Sequence, residues 1–337
     1  MNKPPDSDGT LLLSRQEIAD LVSLTDCIEV VEEAFRAHAL GKSLGTGILH
    51  MDAPDGEFHI KSGGLSDPSL YFALKANAGF FKNSERFGLP NIQGLILLYS
   101  AENGYPLAVL DSLGITAKRT GAATAVAAKY LARPESSAVA LIGCGTQARV
   151  QLRALKEVLP LTKVFAFSIA DGEADQYAAE MSAELGIAAE AVESIDAAVA
   201  ECDICVTCTP ARKAFLHWSY VRPGTFVAAV GADSPDKQEL ETAILANSKV
   251  VVDLLEQARD VGELHHAIAA GSMKESDVFA ELGQIVAGNI EGRTSESEVI
   301  VFDSTGTALQ DTAAAILAYE KALERGVGSH FDFGATP

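Results

Sequence analysis

The sequence predicts an α/β protein, in which a doubly wound parallel sheet is joined to a second, α+β domain. Two observations lead to this prediction. From residue 136 onward, short apolar runs alternate with helix-like segments, which is typical of βαβ units and a parallel sheet. Before residue 100, short strand-like runs are separated by segments rich in Gly, Asn, Asp and Pro, which indicates an antiparallel sheet.

The strongest local signal is a glycine turn at the junction of a strand and a helix. The apolar run Ala138–Ile142 leads into G-x-G-x-x-A, and an amphipathic helix pattern follows. Gly143 allows a sharp turn, Gly145 lets a pyrophosphate approach the backbone, and Ala148 lets the helix pack closely on the strand. Free N–H groups at the helix start favour phosphate. Since a purely structural turn needs only one glycine, the pattern favours a Rossmann-type, dinucleotide-binding domain.

Composition excludes several classes of function. The chain has 337 residues, 48% of them hydrophobic, which is enough for two domains. A net charge of −20 argues against nucleic-acid and anionic-membrane partners, although local lysines and arginines can still bind an anionic substrate. No apolar stretch reaches about 18 residues, and the first ten residues resemble a flexible start rather than a signal peptide. Five cysteines outside any dense framework favour a reducing, cytoplasmic setting.

The N-terminal part begins with a predicted strand, Leu11–Leu13. Ser14 and Asp26 are predicted helix caps, and the second helix is expected from Asp26 to about Leu40. Four strands follow, in the runs ILHMDA, EFHIKSGG, YFALKANA and GLILLYS. The Asn-Gly pair at 103–104 predicts a hairpin between LILLYS and PLAVLD.

The composition changes at Thr116, where an alanine-rich helix is predicted to begin. Pro134 is expected to end this helix. Six buried strands are expected after it, in AVALIG, VFAFSI, DICVTCT, TFVAAVG, KVVVDL and EVIVFD. Helices are expected between them, for example over 173–185 and 194–201. A last helix, from Gly306 to about Arg325, is expected to return to the first domain.

Several motifs together resemble the ornithine cyclodeaminase/μ-crystallin family. They are LKANA (74–78), GLPNIQGLILL (88–98), ITAKRTGAATAVAAKYLA (115–132), LIGCGTQA and VGADSPDKQEL (230–240). The resemblance covers roughly residues 11–328. It implies that residues 1–115 with 305–337 form a substrate-binding and dimerisation domain, and that residues 116–304 form a Rossmann domain for NAD or NADP. It also implies a homodimer.

The resemblance assigns roles to three residues. Lys75 matches the family lysine that contacts the substrate carboxylate, although a lone lysine in a strand is more often exposed. Arg119 matches the arginine that grips this carboxylate through two parallel hydrogen bonds. Asp233 matches the aspartate that holds the substrate nitrogen and acts as general acid or base. The sequence GADSP also favours a simple turn at Asp233.

The family pattern breaks before the strand EFHIKSGG. Family members usually have an arginine about a dozen residues earlier, whereas this chain reads GTGILHMD. Lys61 and His59 share one face of the next strand and are predicted to supply the positive charge for substrate binding. His59 alone is more often a packed or surface histidine. The departure weakens any assignment of ornithine as substrate.

The end of the second Rossmann strand bears on the choice of cofactor. It carries Ser168, Ile169, Ala170 and then Asp171, with no nearby arginine to neutralise a 2′-phosphate, so NAD is favoured over NADP. The residues predicted to contact the cofactor are Thr120, Gly143, Cys144, Gly145, Thr146, Gln147, Ala148, Ser168, Thr207, Thr209, Val230 and Gly231.

The cysteines at 202, 205 and 208 have metal-like spacing, but they are predicted to be buried thiols. The run from Asp203 to Thr209 is predicted to be a strand, which would point Cys205 away from the other two. No fourth ligand follows, so no metal site is expected. His265 and His266 are predicted to be a solvated or interface pair.

Three functions remain open at this stage. The favoured one is an NAD(P)H-dependent imine reductase or amino-acid dehydrogenase, of the iminosuccinate or alanine type, that transfers hydride at Cα. The second is a cyclodeaminase-type lyase that uses NAD catalytically. The third is a binding protein that uses the cofactor to hold a ligand, as in some μ-crystallins.

Overall fold

The computed structural model describes residues 9–67 and 70–333. Most of the flexible start predicted for the N-terminus lies outside these residues. The described residues form two compact units. The first contains the chain up to Arg119 and from Thr307 onward, and the second is Thr120–Gly306.

The elements up to residue 131 alternate between helices and a largely antiparallel sheet. They are β1 (Thr10–Leu13), α1 (Arg15–Leu21), α2 (Leu24–Ala39), β2 (Ser43–Ala53), β3 (Gly56–Leu65), β4 (Tyr71–Gly79), α3 (Asn83–Phe87), β5 (Ile92–Ser100), β6 (Pro106–Asp111) and α4 (Ser112–Leu131).

The next elements alternate strand with helix. They are β7 (Ala138–Ile142), α5 (Thr146–Val158), β8 (Lys163–Phe167), α6 (Glu173–Leu185), β9 (Ala188–Ala191), α7 (Ile195–Ala200), β10 (Ile204–Thr207), β11 (Arg212–Leu216), β12 (Phe226–Ala229), β13 (Gln238–Leu240), α8 (Thr242–Ala246), β14 (Lys249–Val252), α9 (Leu255–Ala258), α10 (Gly262–Ala269), β15 (Ala280–Glu281), α11 (Leu282–Val286) and β16 (Ile300–Asp303). The chain ends with α12 (Ala308–Arg325) and β17 (Ser329–Phe331).

The sheet of the first unit has the order β17-β1-β6-β5-β4-β3-β2. Neighbours from β2 to β6 pair antiparallel, including the β5–β6 hairpin predicted from the Asn-Gly pair. Helix α12 packs on β3 and β4, where the Thr312 hydroxyl donates to the Gly63 carbonyl at 3.1 Å. The last helix therefore belongs to the first unit, and it covers one face of the sheet.

The sheet of the second unit has the order β15-β14-β16-β12-β10-β7-β8-β9, and its strand pairs are parallel. The strands from β14 to β8 in this order are buried almost throughout, as in parallel sheets covered on both faces, whereas the edge strand β9 is partly exposed. The predicted doubly wound parallel sheet is thus confirmed.

Two local predictions need correction. The N-cap of α2 is Ser23, whereas Asp26 lies at the third helical position and completes a capping box with it. A serine followed three residues later by an acid was the better signal. Strand β10 spans only 204–207, so Cys202 and Cys208 lie outside it. All five cysteines are free thiols. Among the residues described, no helix is both long and apolar enough to cross a membrane.

Candidate active-site residues and family membership

A cluster of buried cations lies on the α12 side of the first unit's sheet. Lys61 and Lys75 are directly opposite each other on β3 and β4, and both are buried. Asp311 Oδ2 of α12 forms an ion pair with Lys75 Nζ at 2.6 Å, and its Oδ1 accepts from Arg119 Nε at 2.9 Å. Gln310 Oε1 accepts from Arg119 Nη1 at 3.0 Å. The structure therefore brings together three of the predicted site residues, Lys61, Lys75 and Arg119, around one carboxylate.

Burial and mutual interactions shift the pKa values of the side chains in this cluster. Desolvation lowers the pKa of Lys75 to about 7, with repulsion from Arg119 adding to the effect and attraction to Asp311 opposing it. Burial alone would raise the pKa of Asp311, but Arg119 and Lys75 hold it below its usual value. Lys61 and Arg119, together with Lys75 when it is protonated, leave a surplus of positive charge over the Asp311 carboxylate, which suits the binding of an anionic ligand.

His59 is on the same face of β3 as Lys61, as the sequence predicted, but its contacts are different. Its Nε2 lies 3.1 Å from Glu57 Oε1, and its ring meets that of His50 edge to face. Its predicted role in substrate binding stays a prediction.

The predicted glycine turn connects β7 to α5 in the second unit. Gly143 has a φ of +96°, and a Cβ there would lie 2.9 Å from the Thr209 methyl, so the position requires glycine. Gly145 is the N-cap of α5 and has no side chain to cap it, so it leaves room for a phosphate beside the first-turn N–H groups. Cys144 is a buried thiol whose pKa burial raises to about 12, so it is not a nucleophile.

The other residues of the turn open helix α5. Thr146 and Gln147 are the first two helical residues. Ala148 is fully buried, and its carbonyl accepts from the Tyr177 hydroxyl at 3.0 Å. This small side chain allows the helix to pack closely, as predicted.

A buried glutamate joins the chain segments that follow β10 and β12. Glu239 Oε1 accepts from the backbone N–H of Thr209 at 2.6 Å and from its hydroxyl at 2.7 Å. Glu239 Oε2 accepts from the Gly231 N–H at 2.9 Å. Thr207 and Val230 are buried at the ends of the same two strands. The predicted cofactor contacts Thr207, Thr209, Val230 and Gly231 thus lie at the carboxyl edge of the sheet, where nucleotides bind in such folds.

Further acids are buried beside this edge. Glu263 accepts from the N–H groups of Glu239 and Leu240, and burial raises its pKa well above the usual value. Asp303, at the end of β16, accepts from the Leu264 N–H at 2.8 Å. Burial raises the pKa of Asp303 to about 7. These carboxylates hold the loops around the sheet edge in place.

The remaining predicted residues also have defined places. Thr120 is a buried residue of α4 and opens the second unit. Ser168 directly follows β8, and its hydroxyl donates to the carboxylate of Glu173. Asp233 lies in the segment after β12, where Lys237 Nζ donates to its Oδ1 at 2.6 Å. The Asp233 carboxylate is therefore already bound to an ammonium group.

Comparison with known proteins places this chain in a family. A sequence model described as the ornithine cyclodeaminase/mu-crystallin family matches residues 9–326. The chain belongs to this family. It is 40% identical to an alanine dehydrogenase of Archaeoglobus fulgidus over 324 residues, which is 96% of this chain and 98% of that protein. The family resemblance found in the sequence is confirmed.

Solved structures of the ornithine cyclodeaminase/mu-crystallin family have the same fold. An archaeal alanine dehydrogenase dimer with bound NAD has a TM-score of 0.91 at 40% identity, over 96% of this chain and 99% of that one. The Thermococcus litoralis Δ1-pyrroline-2-carboxylate reductase with NADH and L-proline gives 0.89 at 37%, over 96% and 100%. The iminosuccinate reductase of Paracoccus denitrificans with NAD+ gives 0.88 at 33%, over 95% and 98%.

Several residues that shape these regions were not predicted from the sequence. Asp311 is 192 residues from Arg119, so no local pattern links them. A signal was nevertheless present, because Gln310, Asp311 and Thr312 are consecutive polar residues in the otherwise apolar stretch ALQDTAAAILA. In the same way, Glu239 is the glutamate of the VGADSPDKQEL motif, whose aspartate alone was given a role.

Proposed function

We propose that this chain is an NAD(H)-dependent oxidoreductase that transfers hydride at the Cα of a small imino or amino acid. The observation that carries the proposal is the buried cluster of Lys61, Lys75 and Arg119 around Asp311. Solved relatives with similar folds act as alanine dehydrogenase, Δ1-pyrroline-2-carboxylate reductase and iminosuccinate reductase.

The cation cluster supports an anionic substrate. A substrate carboxylate would be bound by Arg119 and Lys75, which already bind the carboxylate of Asp311 in this geometry. Lys61, opposite Lys75, adds a third positive charge. This third charge favours a small dicarboxylic imino acid, of the iminosuccinate type, over a monocarboxylic one of the alanine type.

The glycine turn supports a dinucleotide cofactor. Gly143 and the uncapped N-terminus of α5 fit a pyrophosphate, and NADH bound there supplies the hydride. The cofactor choice rests on Ser168, which follows the second strand, and on Glu173, the first residue of α6, whose carboxylate accepts from the Ser168 hydroxyl. A carboxylate beside the end of this strand accepts ribose hydroxyls and repels a 2′-phosphate. NAD is therefore the proposed cofactor.

Asp233 is the proposed general acid or base. A carboxylate that binds the Lys237 ammonium at 2.6 Å can bind the cationic nitrogen of an iminium or ammonium substrate in its place. In this role it would hold the substrate nitrogen and exchange a proton with it. The proposed setting is the cytoplasm, where the five free thiols stay reduced.

The test is a substrate screen with purified protein. NADH or NADPH is mixed with ammonia and a panel of 2-oxo acids, or with cyclic imino acids, and the absorbance of the reduced cofactor is followed. Oxidation of NADH with at least one member is expected, and Asp233→Asn should bind NADH normally but lose most of the rate. The proposal fails if no member is reduced. Conversion of ornithine to proline without net NADH change would point to a cyclodeaminase instead.

A homodimer is part of the proposal. Leu49, Met51, Phe58 and Leu95 are exposed apolar residues on the sheet face opposite the cation cluster. Such a patch marks a protein interface, and an alanine dehydrogenase of similar fold is a dimer. Light scattering should give twice the chain mass, and Met51→Asp should lower it. A monomeric wild-type chain would contradict this part.

A further inference from the structure

The hairpin of β2 and β3 carries a group of metal-binding side chains that the proposed reaction does not use. His50 and His59 face each other directly across the two strands, and Asp52 faces Glu57 at the next pair on the same side. Strand β2 ends at Ala53 and β3 begins at Gly56, so a tight turn fixes their register. The register therefore places all four side chains on one face of the hairpin.

The distances match a small coordination sphere. His50 Nδ1 and His59 Nδ1 are 3.5 Å apart, and Glu57 Oε1 lies 3.1 Å from His59 Nε2. Glu57 Oε2 lies 3.8 Å from His50 Nε2, and one donor atom from each of the three residues falls within 4.8 Å of the others. Tetrahedral zinc with bonds of about 2.0–2.1 Å needs donors roughly 3.4 Å apart and takes one nitrogen from each imidazole. Rotation of these side chains would therefore bring one donor of each residue from within 4.8 Å to that spacing.

From this geometry we propose that His50, Glu57 and His59 bind one divalent transition-metal ion, such as Zn²⁺. Two imidazoles and one carboxylate are donors suited to zinc, copper or nickel rather than to magnesium or calcium. Asp52 Oδ1, 3.3 Å from His50 Nε2, can supply a fourth donor or leave that position to water. The proposal departs from the sequence-based expectation of no metal site, which considered only the cysteines.

The position of the site indicates what the ion would do. Strand β2 is the edge strand of its sheet, and paired edge strands are the part of a sheet that opens most easily. An ion bound by side chains of both β2 and β3 would hold the two strands together at this edge. Because the ion binds only the folded hairpin, its binding raises thermal stability.

Lys61 distinguishes this site from the cation cluster. It follows His59 by two residues on the same face of β3, which is a step of roughly 7 Å. In this proposal His59 binds the ion and Lys61 binds the substrate carboxylate, so ion binding can be measured in the full chain without cofactor or substrate.

The experiment is a metal titration of the tag-free, full-length chain after treatment with a chelator. Calorimetry should show one equivalent of Zn²⁺ bound at micromolar or tighter affinity, and Tm should rise by about 2 °C or more. Co²⁺ in the same site should give visible absorption bands. His50→Ala and His59→Ala should each lower the affinity at least tenfold and abolish the rise in Tm. Glu57→Gln should weaken binding less.

The matched control is His217→Ala. His217 is a half-exposed histidine with one carboxylate neighbour, Glu241, at 3.7 Å, so zinc binding should not change. The proposal is overturned if the wild-type chain binds no zinc, or if both histidine variants bind it as tightly as wild type. The cobalt spectrum of the wild-type chain tests the proposal even where a variant folds poorly. A spectrum without nitrogen ligation would also overturn the proposal.

Discussion

Replacement of Asp311 by asparagine should destabilise the chain by about 3–5 kcal/mol, because it removes the negative charge from a buried ion-pair cluster. Asp311, Lys75 and Arg119 have side chains only 2%, 3% and 6% exposed. Asparagine preserves the shape but cannot neutralise the two cations that lie 2.6 and 2.9 Å from the carboxylate oxygens. Because these side chains are almost fully buried, solvation compensates little for this loss.

The loss of stability caused by Asp311→Asn should depend on pH. Lys75 has a folded pKa of about 7, below its usual value of 10.5, so the folded chain is stabilised as pH rises between these values. Without Asp311 the folded pKa drops further, by about 1–3 units for a lost charge at this distance. Deprotonation of Lys75 then relieves its repulsion with Arg119. The variant should therefore lose more free energy of unfolding at pH 6 than at pH 9.

The assay is urea unfolding followed by far-UV circular dichroism at pH 6, 7.5 and 9, without cofactor. The control is Lys321→Gln, which breaks a partly exposed ion pair between Lys321 of α12 and Asp26 of α2 and leaves the Asp26 capping box in place. An exposed pair is worth at most about 1 kcal/mol. The reasoning is refuted if Asp311→Asn costs no more than the control, or if its cost does not change with pH.

Three further predictions concern the second unit. Gly143→Ala should lower NADH affinity and stability because of its φ of +96°, whereas Gly145→Ala, whose Cβ meets no atom within 4 Å, should lower only the affinity. Fluorescence titration and urea unfolding measure the two effects, and equal stability losses would contradict this prediction. Burial raises the pKa of Asp303 from 3.8 to about 7, so the free energy of unfolding should fall as pH rises between these values, by up to about 1.4 kcal/mol per pH unit. Unfolding curves of Asp303→Asn should show a smaller dependence on pH. An unchanged dependence would contradict this prediction. Glu173→Gln, which removes the carboxylate bound by Ser168, should raise the NADPH-to-NADH ratio of kcat/KM about tenfold, and an unaltered ratio would exclude a role in cofactor choice.

Features encoded by neighbouring residues could be predicted from the sequence. The turn at Gly143, the strand Ala138–Ile142 and the parallel sheet were all found, because hydrophobic periodicity and glycine chemistry act over a few residues. Even the error at Asp26 was local, since the capping serine was three residues away.

Long-range partners could not be predicted in the same way. Lys75 and Arg119 were named from motifs, but Asp311 becomes their neighbour only when α12 packs on the sheet. For the same reason the sequence predicted only that His59 supplies positive charge for substrate binding. The register of β2 and β3 is what places His50 opposite it. Pairing across strands and helices is decided by tertiary packing, which a linear pattern does not record.

The order of the two units along the chain has a consequence for biosynthesis. Thr120–Gly306 is one continuous stretch, so it can fold as soon as the ribosome has released it. The first unit cannot finish folding at that point, because α12 covers its sheet and is translated only after the second unit. Until α12 is made, the nascent chain exposes the uncovered sheet with Lys61 and Lys75, and a premature stop codon before residue 308 would leave that surface to chaperones or proteases.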